Sequence, residues 1–565
     1  MKVAEQPDPL KMPESPPGVA EQQRPDCALA ASAEACEEAV LAAEEGYAVA
    51  APSPSPPPRG RLIVNLVSNI AIFGFNGLIN FWYVPYLRDH LGTGAYGLVP
   101  LVSQITSYMV VITATLNSAT GRYVTLAFEQ NDEEEANRYF NTSLFGSVLL
   151  VLLLIPLALW ATAGLGSIIN MPAGLETQTR WLFLCTVAAF FLGTLQSPFG
   201  VACFCRNRFD LLNTIGLVQQ IARVGFVVVF FSILAAQIWQ VGVAALLAMF
   251  FGWGWSIRLW RRLTPSLRIS LPHFSGRALK NLCAMGGWVG VNYLGVILYL
   301  SIDLLVVNRM FGTEAGGRYA LVMPWSILLR TLVGVIGTIF GPTMIAYYAR
   351  NDFDGLALYG RRAVKLVGLL MALPIALICG FSTPLLQTWL GPKFTDLAWL
   401  MTLMTVHLSF NLAVTPLFSV QAATNRVRTP ALVTVVMGFG NLGLAILLAG
   451  PVGWGLYGVA AAGAIALTVK NFLFTPFYAA YILHRRLSTF WGEMAPIVIA
   501  TIAAAAACKW LAATWDVSGW FRLAAAGAAV SLFYAAAGYW ILLNREERVL
   551  AWSMIPKNRF TTRKR

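Results

Sequence analysis

The sequence predicts an all-α polytopic membrane protein with about 14 transmembrane helices, built as two six-helix lobes plus two peripheral C-terminal helices. Three observations lead there. Hydrophobic residues make up 57% of the chain against 12% charged, with a mean hydropathy of +0.64. Apolar runs of about 20 residues recur along the chain, the length that crosses a bilayer core as helix. Polar residues and turn signals in the first half recur at nearly constant offset in the second. This composition excludes a soluble multidomain enzyme. The formal net charge of +13 does not indicate nucleic acid, because Lys and Arg sit in short loops between apolar runs and build no basic face.

Residues 1–58 are rich in Pro, Ala and Glu and end in PSPSPPP, with ten acids against Lys2, Lys11 and Arg24. They lack the basic and apolar regions of a signal peptide, so they read as a disordered acidic cytoplasmic tail. Apolar runs follow at 62–87, 96–119, 141–163, 181–200, 213–235, 241–259, 284–310, 319–346, 364–382, 398–420, 431–449, 456–483, 494–513 and 520–543. They divide the chain into an N-terminal lobe (59–260), a basic cytoplasmic linker (261–283), a C-terminal lobe (284–483), two additional transmembrane helices (484–543) and a basic cytoplasmic tail (544–565). With the N terminus in the cytoplasm, the loop cations left outside it are Arg88, Arg180, Arg309, Arg318, Lys393 and Arg522. That asymmetry predicts that both termini are cytoplasmic. The linker carries Arg261, Arg262, Arg268, Arg277 and Lys280 and reads as an amphipathic connector at the lipid surface. The final tail suits anionic headgroups.

The run from Met285 to Gly312 carries one carboxylate, Asp303, at a depth where charge is costly and therefore functional by default. Trp288, Asn292, Tyr299 and Asp303 are spaced 4, 7 and 4 apart, which places them on one helix face. Asn65, Asn69, Asn76 and Asn80 repeat that spacing 223 positions earlier. Gly92-Thr93 recurs as Gly312-Thr313 and Asn131-Asp132 as Asn351-Asp352, both at 220. Pro156 matches Pro374, Pro198 matches Pro416, and Asn207-Arg208 matches Asn425-Arg426, all at 218. The ordered shrinkage of the offset predicts parallel repeats with a substrate path between them. No metal or cofactor site is expected: Cys203-Phe-Cys205 has no second Cys/His pair nearby, and the four histidines are dispersed.

Several short motifs resemble the bacterial polysaccharide-biosynthesis, or Wzx-like O-antigen, flippases of the multidrug/oligosaccharidyl-lipid/polysaccharide (MOP) exporter superfamily. They are Leu91-Gly92-Thr93-Gly94-Ala95-Tyr96-Gly97, the stretch Arg206 to Asn213, Asp303-Leu304-Leu305-Val306 with Gly312, and Leu385 to Gly391. The resemblance covers about residues 60 to 545. It implies two lobes, as in MATE transporters, around a cavity that opens alternately to either side. It also implies translocation of a polyprenyl-diphosphate-linked oligosaccharide across the bacterial inner membrane, for lipopolysaccharide O-antigen or another surface polysaccharide. The partners so implied are the lipid-linked substrate, membrane lipids and polysaccharide-assembly proteins. No enzyme activity and no nucleic acid are implied.

A diphosphate needs cations and a glycan needs amides or aromatics. Arg223, Arg330 and Lys470 lie at membrane depth and are the candidate phosphate ligands, unless one of them pairs with Asp303. Asn69, Asn76, Asn80 and Asn292 suit a sugar-facing wall or, alternatively, helix–helix hydrogen bonding. Trp288 and Tyr299 are either stacking platforms or buried aromatics. Arg208 and Arg426 occupy matching turns, as cavity-entry contacts or as positive-inside anchors. Asp303 is the candidate for proton or Na+ coupling. Two other functions stay open. A MATE-like multidrug or cation antiporter would need more buried acids. A membrane-embedded glycan polymerase or acyltransferase would need a large extramembrane loop or a histidine-based site.

Overall fold

The computed structural model describes residues 59–206, 208–337 and 339–542. The acidic tail, the basic C-terminal tail and Asn207 lie outside the described residues. Within them the chain is helical and turn-connected throughout, as a backbone without access to water requires. The first half contains α1 (Arg59–Leu91), α2 (Thr93–Ser107), α3 (Val110–Glu129), α4 (Glu133–Ala163), α5 (Glu176–Gln196), α6 (Phe209–Ile233) and α7 (Ile238–Leu263). The second contains α8 (Gly276–Leu300), α9 (Asp303–Gly337), α10 (Phe353–Gly380), α11 (Ala398–Val406), α12 (Arg428–Ala449) and α13 (Gly455–Thr468). α14 (Met494–Thr514) then packs on α10, and α15 (Trp520–Ala537) on α14.

Among the described residues, 10 helices are long and apolar enough to cross a membrane, or up to 11 if the bent pair Pro392–Asn411 and Thr415–Ala423 is one span. That falls short of the fourteen expected apolar runs for local reasons. The seventh and eighth runs share one stretch, Gly290–Ala349. The second run is broken between α2 and α3 at Tyr108–Met109. The first lies in α1, at the edge of the described residues, and is not among the ten.

The internal duplication is built into the turns. Gly92 (φ 81) separates α1 from α2, and Gly312 (φ 83) bends α9 at the matching place. Both need the left-handed region that glycine enters without a Cβ clash. Asn131 (φ 56) and Asn351 (φ 55) are also left-handed, and each precedes an aspartate that caps the next helix. Asp132 accepts from Glu135 N at 2.9 Å and Asp352 from Gly355 N at 2.7 Å.

The halves meet where two equivalent helices cross. A Cβ on Gly97 of α2 would stand 2.6 Å from Gly317 Cα of α9, and a Cβ on Gly317 would stand 2.1 Å from Thr93 O. Only hydrogen at these positions permits backbone-to-backbone packing, as at small-residue crossings of membrane helices.

Between the end of α7 at Leu263 and the start of α8 at Gly276 the linker is largely non-helical and is held as a strap against α4. Asn137 Nδ2 donates to Ser266 O (3.1 Å) and its Oδ1 accepts from Arg268 N (2.7 Å). One turn on along α4, Asn141 Nδ2 donates to Arg268 O and its Oδ1 accepts from Ser270 N, both at 2.8 Å. Two asparagines thus satisfy a stretch of backbone that has no helical partners.

Two outcomes are expected. Gly317→Val should abolish the α2–α9 crossing and leave little monodisperse protein on size exclusion, whereas Gly334→Val, whose Cβ position is open, should behave as wild type. Asn141→Ala strands Arg268 O and Ser270 N, at about 1–3 kcal/mol for each unsatisfied group. It should lower the unfolding midpoint in detergent by several degrees.

Candidate functional site

Between the halves lies a cavity of about 870 Å³ walled by α1, α2, α5, α6 and α7 on one side and by the end of α8, α9, α11 and α13 on the other. Asn76, Asn80 and Tyr83 of α1, Ser103, Gln104 and Ser107 of α2, and Arg223 of α6 form its polar first wall. Tyr299, Asp303, Tyr319, Arg330 and His407 form the second. Each half therefore contributes one guanidinium.

Asp303 lies near enough to Arg330 to attract it but makes no direct ion pair with either cation. Its Oδ1 accepts from Asn441 Nδ2 of α12 at 3.0 Å and its Oδ2 from Tyr319 OH at 3.3 Å. α13 comes close to the same carboxylate at Gly463, where a Cβ would lie 3.2 Å from Oδ2. Among the described residues no acid forms an ion pair with Arg223 or Arg330. Arg223 rests over the Tyr83 ring, 5.8 Å from its centroid, and its Nε has no protein partner. Tyr83 OH, Gln104 Oε1 and Trp325 Nε1, all on cavity-lining residues, are likewise unpartnered. Buried polar atoms without partners are costly, so four on one cavity mark a place built for a polar ligand.

Of the residues singled out from the sequence, the cavity collects Asn76, Asn80, Arg223, Tyr299, Asp303 and Arg330. The others lie elsewhere. Asn69 accepts from Asn213 Nδ2 and so joins α1 to α6, which is the helix–helix alternative. Asn292 is exposed and outside the cavity wall. The shared stripe fails because α8 ends at Leu300, and Asp303 begins a new helix after Ser301 (φ −120, ψ −3). The side chains of Asn65 and Trp288 are outside the described set. Lys470 is buried in a π-helical turn, its ammonium 5.1 Å from the Tyr299 ring centroid and 5.3 Å from that of Phe418. Arg208 is held by Asp210, with Nε 2.9 Å from Oδ1. Arg426 is exposed just after the left-handed Asn425 (φ 55). Sequence reasoning missed Ser103, Gln104, Ser107 and His407. The i,i+4 pair Ser103–Ser107 in an apolar run was the available signal; His407, whose Nδ1 lies 3.1 Å from Asn411 Nδ2, gave none.

On the face away from the linker, hydrogen bonds tie the halves together. Pro85 has no N–H, so the carbonyl four residues back, Phe81 O, loses its helical donor. Trp389 Nε1 of the other half donates to that oxygen at 2.7 Å. Phe81 stacks on Trp389 with ring centroids 5.4 Å apart, and Trp325 meets both edge-on. Arg88 Nη1 donates to Leu390 O at 2.6 Å. Asn170 N donates to Asn308 Oδ1 and Asn170 Nδ2 to Asn308 O, both at 2.8 Å, while Arg309 Nη1 donates to Asn170 Oδ1 at 3.1 Å. These bonds close the cavity region on that face.

Comparisons with known proteins agree with this architecture. The family described as polysaccharide biosynthesis protein matches residues 62–347. The chain is 35% identical over 500 residues to the uncharacterized membrane protein EpsK of Bacillus subtilis (strain 168), covering 88% of this chain and 99% of that one. Its fold is similar to an inward-facing multidrug resistance MATE family transporter of the MOP superfamily, with a TM-score of 0.61 at 15% identity over 74% of this chain and 98% of the other. It is also similar to the lipid II flippase MurJ in an inward closed conformation, with a TM-score of 0.55 at 14% identity over 82% and 100%.

Trp389→Phe keeps the ring stack and removes the indole donor, stranding Phe81 O at about 1–3 kcal/mol in the closed arrangement alone. The closed-to-open ratio should fall about 5- to 150-fold. Pulsed EPR distances between spin labels on loops of that face, one in each half, would report it as growth of a longer-distance population.

Proposed function

The chain belongs to the polysaccharide biosynthesis protein family of the MOP superfamily, and on that premise we propose that it flips a polyprenyl-diphosphate-linked oligosaccharide across the bacterial inner membrane. One observation carries the reading: Arg223 and Arg330, from opposite halves, face one cavity without an acid on either. Two unpaired guanidinium groups at membrane depth are expensive, and a diphosphate can accept forked hydrogen bonds from both. Asn76, Asn80 and Gln104 then meet sugar hydroxyls, which donate and accept on every side. The halves rock about the Gly97–Gly317 crossing, and the bonds at Phe81 O and Asn170 release when the cavity turns to the far face. Asp303 takes up and gives back a coupling proton or Na+ ion. Lys and Arg asymmetry supports a cytoplasmic position for both termini. Membrane lipids and polysaccharide-assembly proteins are the expected neighbours.

A cation-exporting site, the competing reading, would want several acids. Here Asp303 is the acid on the cavity wall, and it already accepts two hydrogen bonds. The reading assigns no covalent chemistry and no cofactor.

The test is leaflet translocation of a fluorescent polyprenyl-diphosphate oligosaccharide in reconstituted vesicles. Each charged hydrogen bond to phosphate is worth about 1.5–3 kcal/mol, so Arg223→Ala and Arg330→Ala should each slow translocation by about 10- to 150-fold. Asp303→Asn should keep basal flipping and lose its response to an imposed proton or sodium gradient. Absence of translocation by folded wild type with several glycans, together with export of a cationic dye, would put the antiporter reading first.

A further inference from the structure

We propose that the outward stripe at the end of α7 is a binding site for one anionic phospholipid, separate from the transport cavity. Phe251, Trp255, Arg258 and Arg262 are spaced 4, 3 and 4 apart, which keeps them within about 60° of one another around the helix. All four are exposed, Phe251 at 58% and Trp255 at 45%. The opposite face of α7 is committed to the protein interior. Gly252 packs against Gln219, Ser256 Oγ accepts from Gln196 Nε2 at 2.8 Å, and Trp260 is buried.

Gly254, Trp255, Arg258, Leu259 and Arg262 line a shallow surface groove between side chains of this one helix. Gly254 adds no side chain beside Trp255 and Arg258, and a Cβ there would meet nothing within 4 Å, so the groove is open to the surroundings. Among the described residues neither Arg258 nor Arg262 has an ion-pair partner. The chemical order along the stripe is that of a phospholipid. Phe251 lies at the acyl end, Trp255 at the interfacial level that indoles favour, and the two arginines where a phosphodiester sits. Phe251 to Arg262 rises about 16 Å, close to half the roughly 30 Å hydrocarbon core plus the start of the headgroup layer. Two guanidinium groups one turn apart fork onto one phosphate. A zwitterionic lipid carries its own cation and is the poorer match.

The experiment is native mass spectrometry of the full chain in detergent, titrated with phosphatidylglycerol, phosphatidylcholine or inorganic phosphate. Wild type should show one saturable phosphatidylglycerol adduct that phosphatidylcholine does not match and millimolar phosphate does not displace. Arg258→Gln/Arg262→Gln should weaken that adduct at least tenfold, and each single variant should weaken it by less. Arg261→Gln removes the same charge about 60° from Arg258 and about 100° from Arg262, to one side of the stripe, and should leave the adduct intact. Equal loss with Arg261→Gln would reduce the effect to general basicity of the helix end and overturn the site. Displacement by inorganic phosphate, or equal binding of phosphatidylcholine, would overturn the lipid assignment. Size exclusion of each variant confirms folding, and translocation in phosphatidylglycerol vesicles gives a separate readout of the cavity.

Discussion

The spacing of the two cavity walls rests on two backbones touching. At Gly97 and Gly317 the approach is too close for any side-chain carbon, so α2 and α9 meet through dispersion and weak polar contacts. Lipid supplies no hydrophobic drive to hold helices together, and close packing has to substitute for it. The two glycines are equivalent positions of the repeat, 220 residues apart, so their contact lies where the halves exchange roles. A contact of this kind sets how closely the two walls approach.

The walls so positioned carry an electrical imbalance. Each half sends one arginine to the cavity, and the acid there is occupied by Asn441 and Tyr319. Had Asp303 turned toward Arg330, the pair would have cancelled and the cavity would hold one cation. Its engagement with α12 and with Tyr319 of its own helix leaves the carboxylate a property of the C-terminal half and the arginines a property of the gap.

Much of this was legible from residues whose meaning is local. Gly92 and Gly312, or Asn131 and Asn351, adopt left-handed backbone because few other residues tolerate it, so their recurrence reported the duplication faithfully. Membrane length and polar depth picked out Arg223, Arg330 and Asp303. What was not legible depended on where helices end. Ser301 breaks α8 without a proline or glycine to announce it, and that break moved Asp303 off the face assigned to Asn292. Asn69 and Asn76 differ only in what stands opposite, which no spacing within α1 reveals. The anchoring of the linker was hidden for the same reason: Asn137 and Asn141 are polar residues at the start of an apolar run, and their partners lie some 130 positions away.

The acceptor at Phe81 is a main-chain atom, set free by a proline and held by a tryptophan from the other half. No substitution at position 81 short of a rearranged backbone can delete it. Selection on this contact must act elsewhere, on Pro85 as the residue that releases the oxygen and on Trp389 as the residue that claims it. In a set of related chains the two should therefore change together: restoring an ordinary residue at 85 returns the oxygen to its own helix and leaves the indole with nothing to bind. A statistical coupling between 85 and 389 would then record a bond whose acceptor belongs to a third residue, 81, which is tied to the contact only through its ring.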